Sequence, residues 1–254
     1  MTNCRLMSLN MLTDGLYNFG DSRFKIRIKA LRQMLRETEP DLIGTQELTE
    51  RMKPYLEKDL EIYGMTGDGR GSVFSDEYSA ILYRKDRYEL LNSATFWLSD
   101  TPGKAGSRFF LSQFPRIVTM AYLREKESGK VISFYNTHLD HNFASVRIKQ
   151  TAVLAEIIRR TKKGTAVFVS GDFNDVPDSE PLKQLGVLGL HDLADERIGS
   201  TLRGKIGSAA HKQKPIDHIL VSCDPEKCSV EKLDRKFAGY HPTDHYPLLA
   251  DIEF

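Results

Sequence analysis

Six short apolar runs in this chain begin or end on an acid, an amide or an imidazole. That recurring boundary constrains the fold more than any other feature. Arg5–Asn10 is a strand candidate closed by Asn10, and Asp41–Thr45 runs directly into Gln46-Glu47. Lys130–Leu139 carries Asn136-Thr-His138 near its end, and Thr165–Ser170 leads into Gly-Asp172-Phe-Asn174. Asp217-His218 stand at the start of Ile216–Ser222, and Asp244-His245 lie just before the closing strand Leu248–Phe254. Chemistry-bearing residues collect where a rigid scaffold hands over to loops. The pattern therefore asks for sheets whose strand ends share a rim.

The rest of the chain supplies helices and further strands. Arg23–Arg36 places Ile26, Ala30, Leu31, Met34 and Leu35 at helical spacing, with Pro40 closing the segment. Thr49–Leu60 reads as a helix with Pro54 near its start. Ser145–Arg160 is an amphipathic helix through Val146, Ala152, Val153 and Ile157, ended by Gly164. Glu77–Arg84, Tyr88–Leu98 and Arg116–Arg124 are rich in β-branched and aromatic residues, and Glu127-Ser-Gly129 forms a hairpin turn before Lys130. The Gly-rich stretches Gly64–Ser72, Asp100–Ser107 and Gly199–Pro215 read as surface loops. With no repeat and no linker-like segment, residues 1–254 are expected to form a single domain. Mixed strands with helices at both ends imply sheets packed on each other and covered by helices.

Glu47, Asp172, Asp217 and Asp244, with Asn10 and Asn174, make a set of hard oxygen donors. Such a set suits Mg²⁺ or Mn²⁺ rather than Zn²⁺ or copper. Each member taken singly also fits a helix cap or a turn, and His138 alone fits a core histidine. Asp172-x-Asn174 is not a calcium loop, because Val176 and Pro177 stand where the ligand and the glycine belong. No G-x-S-x-G, H-E-x-x-H or P-loop pattern occurs. Three cysteines, Cys4, Cys223 and Cys228, are too few for a disulfide framework and have no partners for a zinc site. With no leader-like start and no membrane-length apolar run, the expectation is a cytoplasmic protein with no membrane association and no obligate protein partner.

The ordered set Ser8-Leu-Asn10, Gln46-Glu47, Asn136-Thr-His138-Leu, Ser170-Gly-Asp172-Phe-Asn174, Ile216-Asp217-His-Ile and Thr243-Asp244-His245-Tyr-Pro resembles the endonuclease/exonuclease/phosphatase superfamily. Asn-Thr-His-Leu-Asp-His and Phe96–Pro102 are similar to a compact bacterial branch related to deadenylase-like exonucleases. The resemblance implies a four-layer α/β sandwich, two mixed β-sheets flanked by helices. It implies a divalent-metal-dependent phosphoester hydrolase, with Glu47 as principal metal ligand, Asn10 beside it and Asp244 at the metal or its water. It further implies that Asp172 orients or deprotonates the attacking water and that Asn174 holds that water or the phosphate. His138 would donate to a phosphate oxygen, His245 would contact the phosphate or transfer a proton, and Asp217 would fix the tautomer of His245.

Substrate choice is expected to reside in loops. Asp195–Pro215 carries five cations against two acids, a candidate basic lip over an anionic substrate. Arg116 is a second candidate phosphate contact. Tyr17, Phe19, Phe109, Phe110 and Phe143 lie in segments able to stack a base. The net charge of +1 leaves little capacity for gripping long duplex DNA. The expected substrate is a short oligonucleotide, a nucleotide-like phosphate or another small phosphoester. The alternative is a catalytically silent phosphate-binding or interaction module on the same fold.

Overall fold

A computed structural model describes residues 2–15, 20–57, 60–71, 76–204 and 211–254. In chain order its elements begin β1 (Asn3–Asn10), α1 (Phe24–Thr38), β2 (Leu42–Gln46), β3 (Leu48–Thr49), α2 (Lys53–Glu57) and β4 (Tyr63–Thr66). They continue β5 (Glu77–Tyr78), β6 (Ile81–Arg84), β7 (Tyr88–Trp97), β8 (Ile117–Glu125), β9 (Val131–His138) and α3 (Ala144–Thr161). The remainder are β10 (Ala166–Asp172), α4 (Glu180–Gly186), β11 (His191–Asp192), β12 (Asp217–Val221), β13 (Cys228–Lys232) and β14 (Leu248–Glu253). One sheet runs β13-β14-β1-β2-β6-β4 and the other β11-β12-β10-β9-β8-β7. Each contains one parallel pair, β1 with β2 and β9 with β10, among antiparallel neighbours. Both parallel pairs are bridged by a helix, α1 and α3, as a crossover connection requires.

Strand periodicity sorts the side chains into layers. In β1, Cys4 and Leu6 point between the sheets, where they meet Leu42, Phe134, Phe168, Ile219 and Ala250. Met7 and Leu9 point the other way, onto Ile28, Leu31 and Met34 of α1. Across the second sheet, Met120, Tyr135 and Val169 pack on Leu154 and Ile158 of α3 and Leu185 of α4. Three apolar layers between two helix layers and two sheets make the four-layer α/β sandwich.

The inter-sheet layer changes character along the strands. Its middle is apolar, but one turn nearer the rim come Ser8, Gln46, Asn136 and Ser170, all buried. Asn136 donates to the carbonyls of Thr45 (2.8 Å) and Ala80 (3.0 Å) in the opposite sheet. Its amide oxygen accepts from Gln46 Nε2 (2.7 Å) and Ser170 Oγ (3.0 Å). The sheets come close enough here that a Cβ on Gly44 would overlap Ser170 Oγ and Asn136 Oδ1. Asn136, with all its hydrogen bonds made, fixes one register between the sheets.

Three sequence expectations differ from the structure. Tyr63–Thr66, the start of the Gly64–Ser72 stretch expected to be loop, is the edge strand β4. Gly64 belongs there because a Cβ would collide with the ring of Tyr83 across the pair. The helix expected over Thr49–Leu60 is only Lys53–Glu57 among the described residues, since Thr49 pairs with Glu77 in the β3–β5 ribbon. The short elements α4, β11 and β13 were not anticipated, each being too brief for a full period of apolar residues.

Candidate active site

Register brings the polar strand ends together. Asp172 of β10 is aligned with His138 of β9 on one side and Asp217 of β12 on the other. Asn10 of β1 is aligned with Gln46 of β2, so Glu47 follows at the same edge of the facing sheet. Because residues two apart share a face, Asn10, His138, Asp172 and Asp217 all emerge from the inter-sheet layer at its polar end. His245 arrives from the segment leading to β14. Thr201 fixes it there: its hydroxyl accepts the Ile216 and Asp217 backbone N–H groups (3.1 and 3.2 Å), and its carbonyl accepts the N–H of Tyr246 (2.6 Å).

The side chains form one connected cluster. Asn10 Nδ2 donates to Glu47 Oε1 and Asp172 Oδ2, both at 3.0 Å. The second Glu47 oxygen accepts the N–H of Thr13 at 3.0 Å. Asp172 Oδ1 accepts the N–H of Asn174 at 2.9 Å, an Asx turn that holds Asn174 at φ 51°. Glu47 also has a left-handed backbone, φ 58°, a conformation uncommon outside glycine and concentrated at functional sites. His138 Nε2 and His245 Nε2 each lie 3.7 Å from Asp172 Oδ2, converging on it from two sides. His245 Nδ1 and Asp217 Oδ2 are 2.8 Å apart.

Burial and charge separate the titrations. Burial and the Asp217 carboxylate push Asp172 up to about 7, with His245 acting in the opposite sense. Burial and the Arg116 and Arg70 guanidiniums hold His138 well below the usual imidazole range, so it is neutral. Burial also opposes charge on His245, but Asp217, Asp172 and Asp244 together lift it well above that range. Burial, and then the Glu47 charge, raise Asp244 against the pull of His245. The surroundings thus favour charge on His245 and disfavour it on His138, the two histidines that approach Asp172.

A cation would find suitable ligands here. Glu47, His138 and Asp172 each offer one atom within 4.8 Å of the others, as do Asp172, Asp217 and His245. Each Glu47 oxygen accepts one N–H, from Asn10 Nδ2 and from Thr13. The Asn10 oxygen accepts the N–H of Leu12 (3.0 Å), and its amide nitrogen braces the two carboxylates.

A protein-family model described as the Endonuclease/Exonuclease/phosphatase family matches residues 7–245. The chain belongs to that family. A Bacteroides vulgatus endonuclease/exonuclease/phosphatase structure is 26% identical with a TM-score of 0.85, covering 100% of both chains. A mannosyl-6-phosphatase from Bacteroides thetaiotaomicron is 23% identical with a TM-score of 0.80, covering 99% of this chain and 100% of the other, and shows the shared fold. The CCR4-Not complex 3′-5′-exoribonuclease subunit Ccr4 of Candida albicans is 28% identical over 222 residues, 70% of this chain but 28% of that protein. The chain thus spans well under half the length of that curated relative.

Two residues that serve this endonuclease/exonuclease/phosphatase site escaped the sequence reading. Arg27 lies in the apolar stripe of α1, between Phe24, Ile28 and Leu31, yet it is buried. Its guanidinium donates to the carbonyls of Met11, Leu12 and Pro242 at 2.7–2.8 Å, tying the segment after Asn10 to the one before Asp244. A charge inside an apolar stripe was the available signal. Arg70 is the other, a lone arginine in a Gly-rich stretch. In the proposed basic lip, Arg197 pairs with Asp195 and Lys214 with Glu196. Arg203 donates its backbone N–H to the Asp244 carbonyl at 2.7 Å. Of the aromatic candidates, Phe109 is buried, Phe143 half-exposed and Phe110 95% exposed. Tyr17, Phe19 and Lys205 lie outside the described residues.

Proposed function

We propose that this protein is a Mg²⁺- or Mn²⁺-dependent phosphoester hydrolase acting on a short oligonucleotide or another small phosphoester. The observation that carries the reading is the convergence of His138 and His245 on Asp172, with Asp217 behind His245 and Glu47 alongside. Glu47 would be the principal ligand of the cation, with Asp172 next to it and Asp244 nearby. A bound cation would offset charge building on the phosphoryl oxygens.

The chain's own groups divide the remaining work. Asp172 orients the attacking water and takes its proton, and Asn174 steadies that water or the phosphate. Protonated His245, its ring oriented through Nδ1 by Asp217, donates from Nε2 to the phosphoryl oxygens as negative charge develops. Neutral His138 donates one N–H from the opposite side. No helix among the described residues is long and apolar enough to cross a membrane. The sparse cysteines favour a cytoplasmic setting, and the net charge of +1 favours small substrates over long duplex.

The test is a panel of short single-stranded RNA and DNA, abasic duplex DNA, inositol phosphates, sugar phosphates and sphingomyelin, with Mg²⁺ or Mn²⁺. Turnover abolished by EDTA and restored by added metal supports the reading. Silence across the panel would favour a catalytically inactive phosphate-binding module.

A further inference from the structure

Arg116 has the burial of a core residue and the charge of a surface one. It is 4% exposed, and its single side-chain hydrogen bond among the described residues runs from an Nη to His141 Nδ1, at 3.0 Å. Its Nε finds no partner, and no carboxylate pairs with it in an ion pair. Arg70, also 4% exposed, pairs with Glu77 at 2.9 Å through one nitrogen, while its own Nε is likewise unpartnered. A guanidinium carries five N–H donors, and burying one without a counterion is costly. Arg116 without a carboxylate partner among the described residues, beside an Arg70 whose pairing with Glu77 leaves its Nε unmet, points to an anion that completes them.

The place is built rather than accidental. Both arginines line one small cleft with Glu47, Glu77, Pro115 and His138. Arg70 is pinned through its backbone, which donates to Glu77 O (3.0 Å) and accepts from Trp97 Nε1 (2.8 Å). Its guanidinium lies over the ring of Phe114, 4.6 Å from the centroid, and Phe114 in turn stacks on His141. His141 then holds Arg116. The four side chains Arg70, Phe114, His141 and Arg116 thus form a continuous wall beside the Glu47 and His138 end of the site.

We propose that Arg70 and Arg116 form an anion pocket that selects a terminal phosphate, a phosphomonoester, over an internal phosphodiester. The proposal rests on the phosphoester-hydrolase reading and narrows its substrate. An internal diester bears one charge on two non-bridging oxygens. A terminal phosphate has three such oxygens and a charge approaching −2 near neutral pH. In a site already holding Glu47, Asp172, Asp217 and Asp244, that second charge is tolerated only beside added cations. Arg116 supplies one, and Arg70, its charge offset by Glu77, adds N–H donors for the third oxygen. The reaction is then addition of water to phosphorus with loss of the alcohol, giving inorganic phosphate and a protonated leaving group.

The test has a binding arm and a rate arm, both on the full chain with Mg²⁺. By titration calorimetry, inorganic phosphate is expected to bind at least tenfold tighter than dimethyl phosphate, and Arg70→Gln or Arg116→Gln to remove most of that preference. If Arg116→Gln does not fold, Arg70→Gln and the charge-retaining Arg116→Lys carry the same comparison. In the rate arm, the ratio of kcat/KM for 4-nitrophenyl phosphate over bis(4-nitrophenyl) phosphate is expected to fall at least tenfold in the Gln variants. Equal affinity for the two anions, or a ratio unchanged by the substitutions, overturns the pocket while leaving the hydrolase standing. Hydrolysis of neither ester, nor of any panel substrate, defeats the hydrolase instead, and the calorimetry still judges the pocket.

Discussion

Asp217 Oδ2 lies 2.8 Å from His245 Nδ1, and both side chains are buried. The carboxylate accepts the Nδ1 proton, and in the charged ring that Asp217, Asp172 and Asp244 favour, Nε2 carries a second proton 3.7 Å from Asp172. The pair acts as a unit, so its members should not be additive. Asp217→Asn is expected to lower kcat roughly tenfold to a hundredfold, and His245→Ala by on the order of a thousandfold, within the range for a lost proton-transfer group. The double variant should be no slower than His245→Ala alone. Independent, multiplying losses in steady-state kinetics would show that the two do not work together.

Glu47 and Asp172 share Asn10 but are assigned different tasks. Glu47→Ala should weaken Mg²⁺ binding by about tenfold or more, read from calorimetry or metal-dependent melting. Asp172→Asn should retain most of that affinity. The reverse order would exchange their roles.

Asn136 makes four hydrogen bonds, three of them across to the other sheet. Asn136→Leu removes them, although the Ala80 carbonyl keeps the Thr45 N–H and Gln46 Nε2 keeps the Gly44 carbonyl. At roughly 0.5–1.5 kcal/mol for each lost hydrogen bond, the loss should reach a few kcal/mol in urea unfolding. A change below about 1 kcal/mol would mean the sheets are held mainly by the apolar layer beneath.

His218 gives a pH signature through Asp192, on the other face of β12 from the Asp217 cluster. Burial opposes its charge, but Asp192 at 2.7 Å and the Asp175 carbonyl at 2.9 Å outweigh it and raise its pKa above the ordinary imidazole value. A raised folded-state pKa gives stability that is full below the unfolded value, about 6.5, and fades as the pH climbs through the folded one. The stability gap between wild type and His218→Gln should therefore be widest at acidic pH and narrow on going alkaline. A gap that widens with pH would reverse the assignment.

The fold was readable where a run was long enough to show its period. β7 through β10, α1 and α3 were located from apolar spacing within a residue or two, and the sandwich followed from their mixture. β4 was hidden by Gly64, whose missing side chain makes room for Tyr83 and looks like a loop signal in sequence. The polar strand ends were visible because each interrupts an apolar run, and the structure places Asn10, Glu47, His138, Asp172, Asp217 and His245 in one cluster. Arg27 and Arg70 were not visible as parts of the site. Their meaning depends on which carbonyls and rings come to them from distant segments, and no local pattern encodes that.

The central claim is that Asp172, flanked by two histidines, drives metal-dependent phosphoester hydrolysis. Its most direct test is the single-turnover rate of wild type and Asp172→Asn on the best substrate of the panel, with saturating Mg²⁺ and again after EDTA. The account predicts a loss of at least about a thousandfold in the variant with metal present, and no turnover by either protein without metal. Near wild-type cleavage by Asp172→Asn, or cleavage undiminished by EDTA, would contradict it.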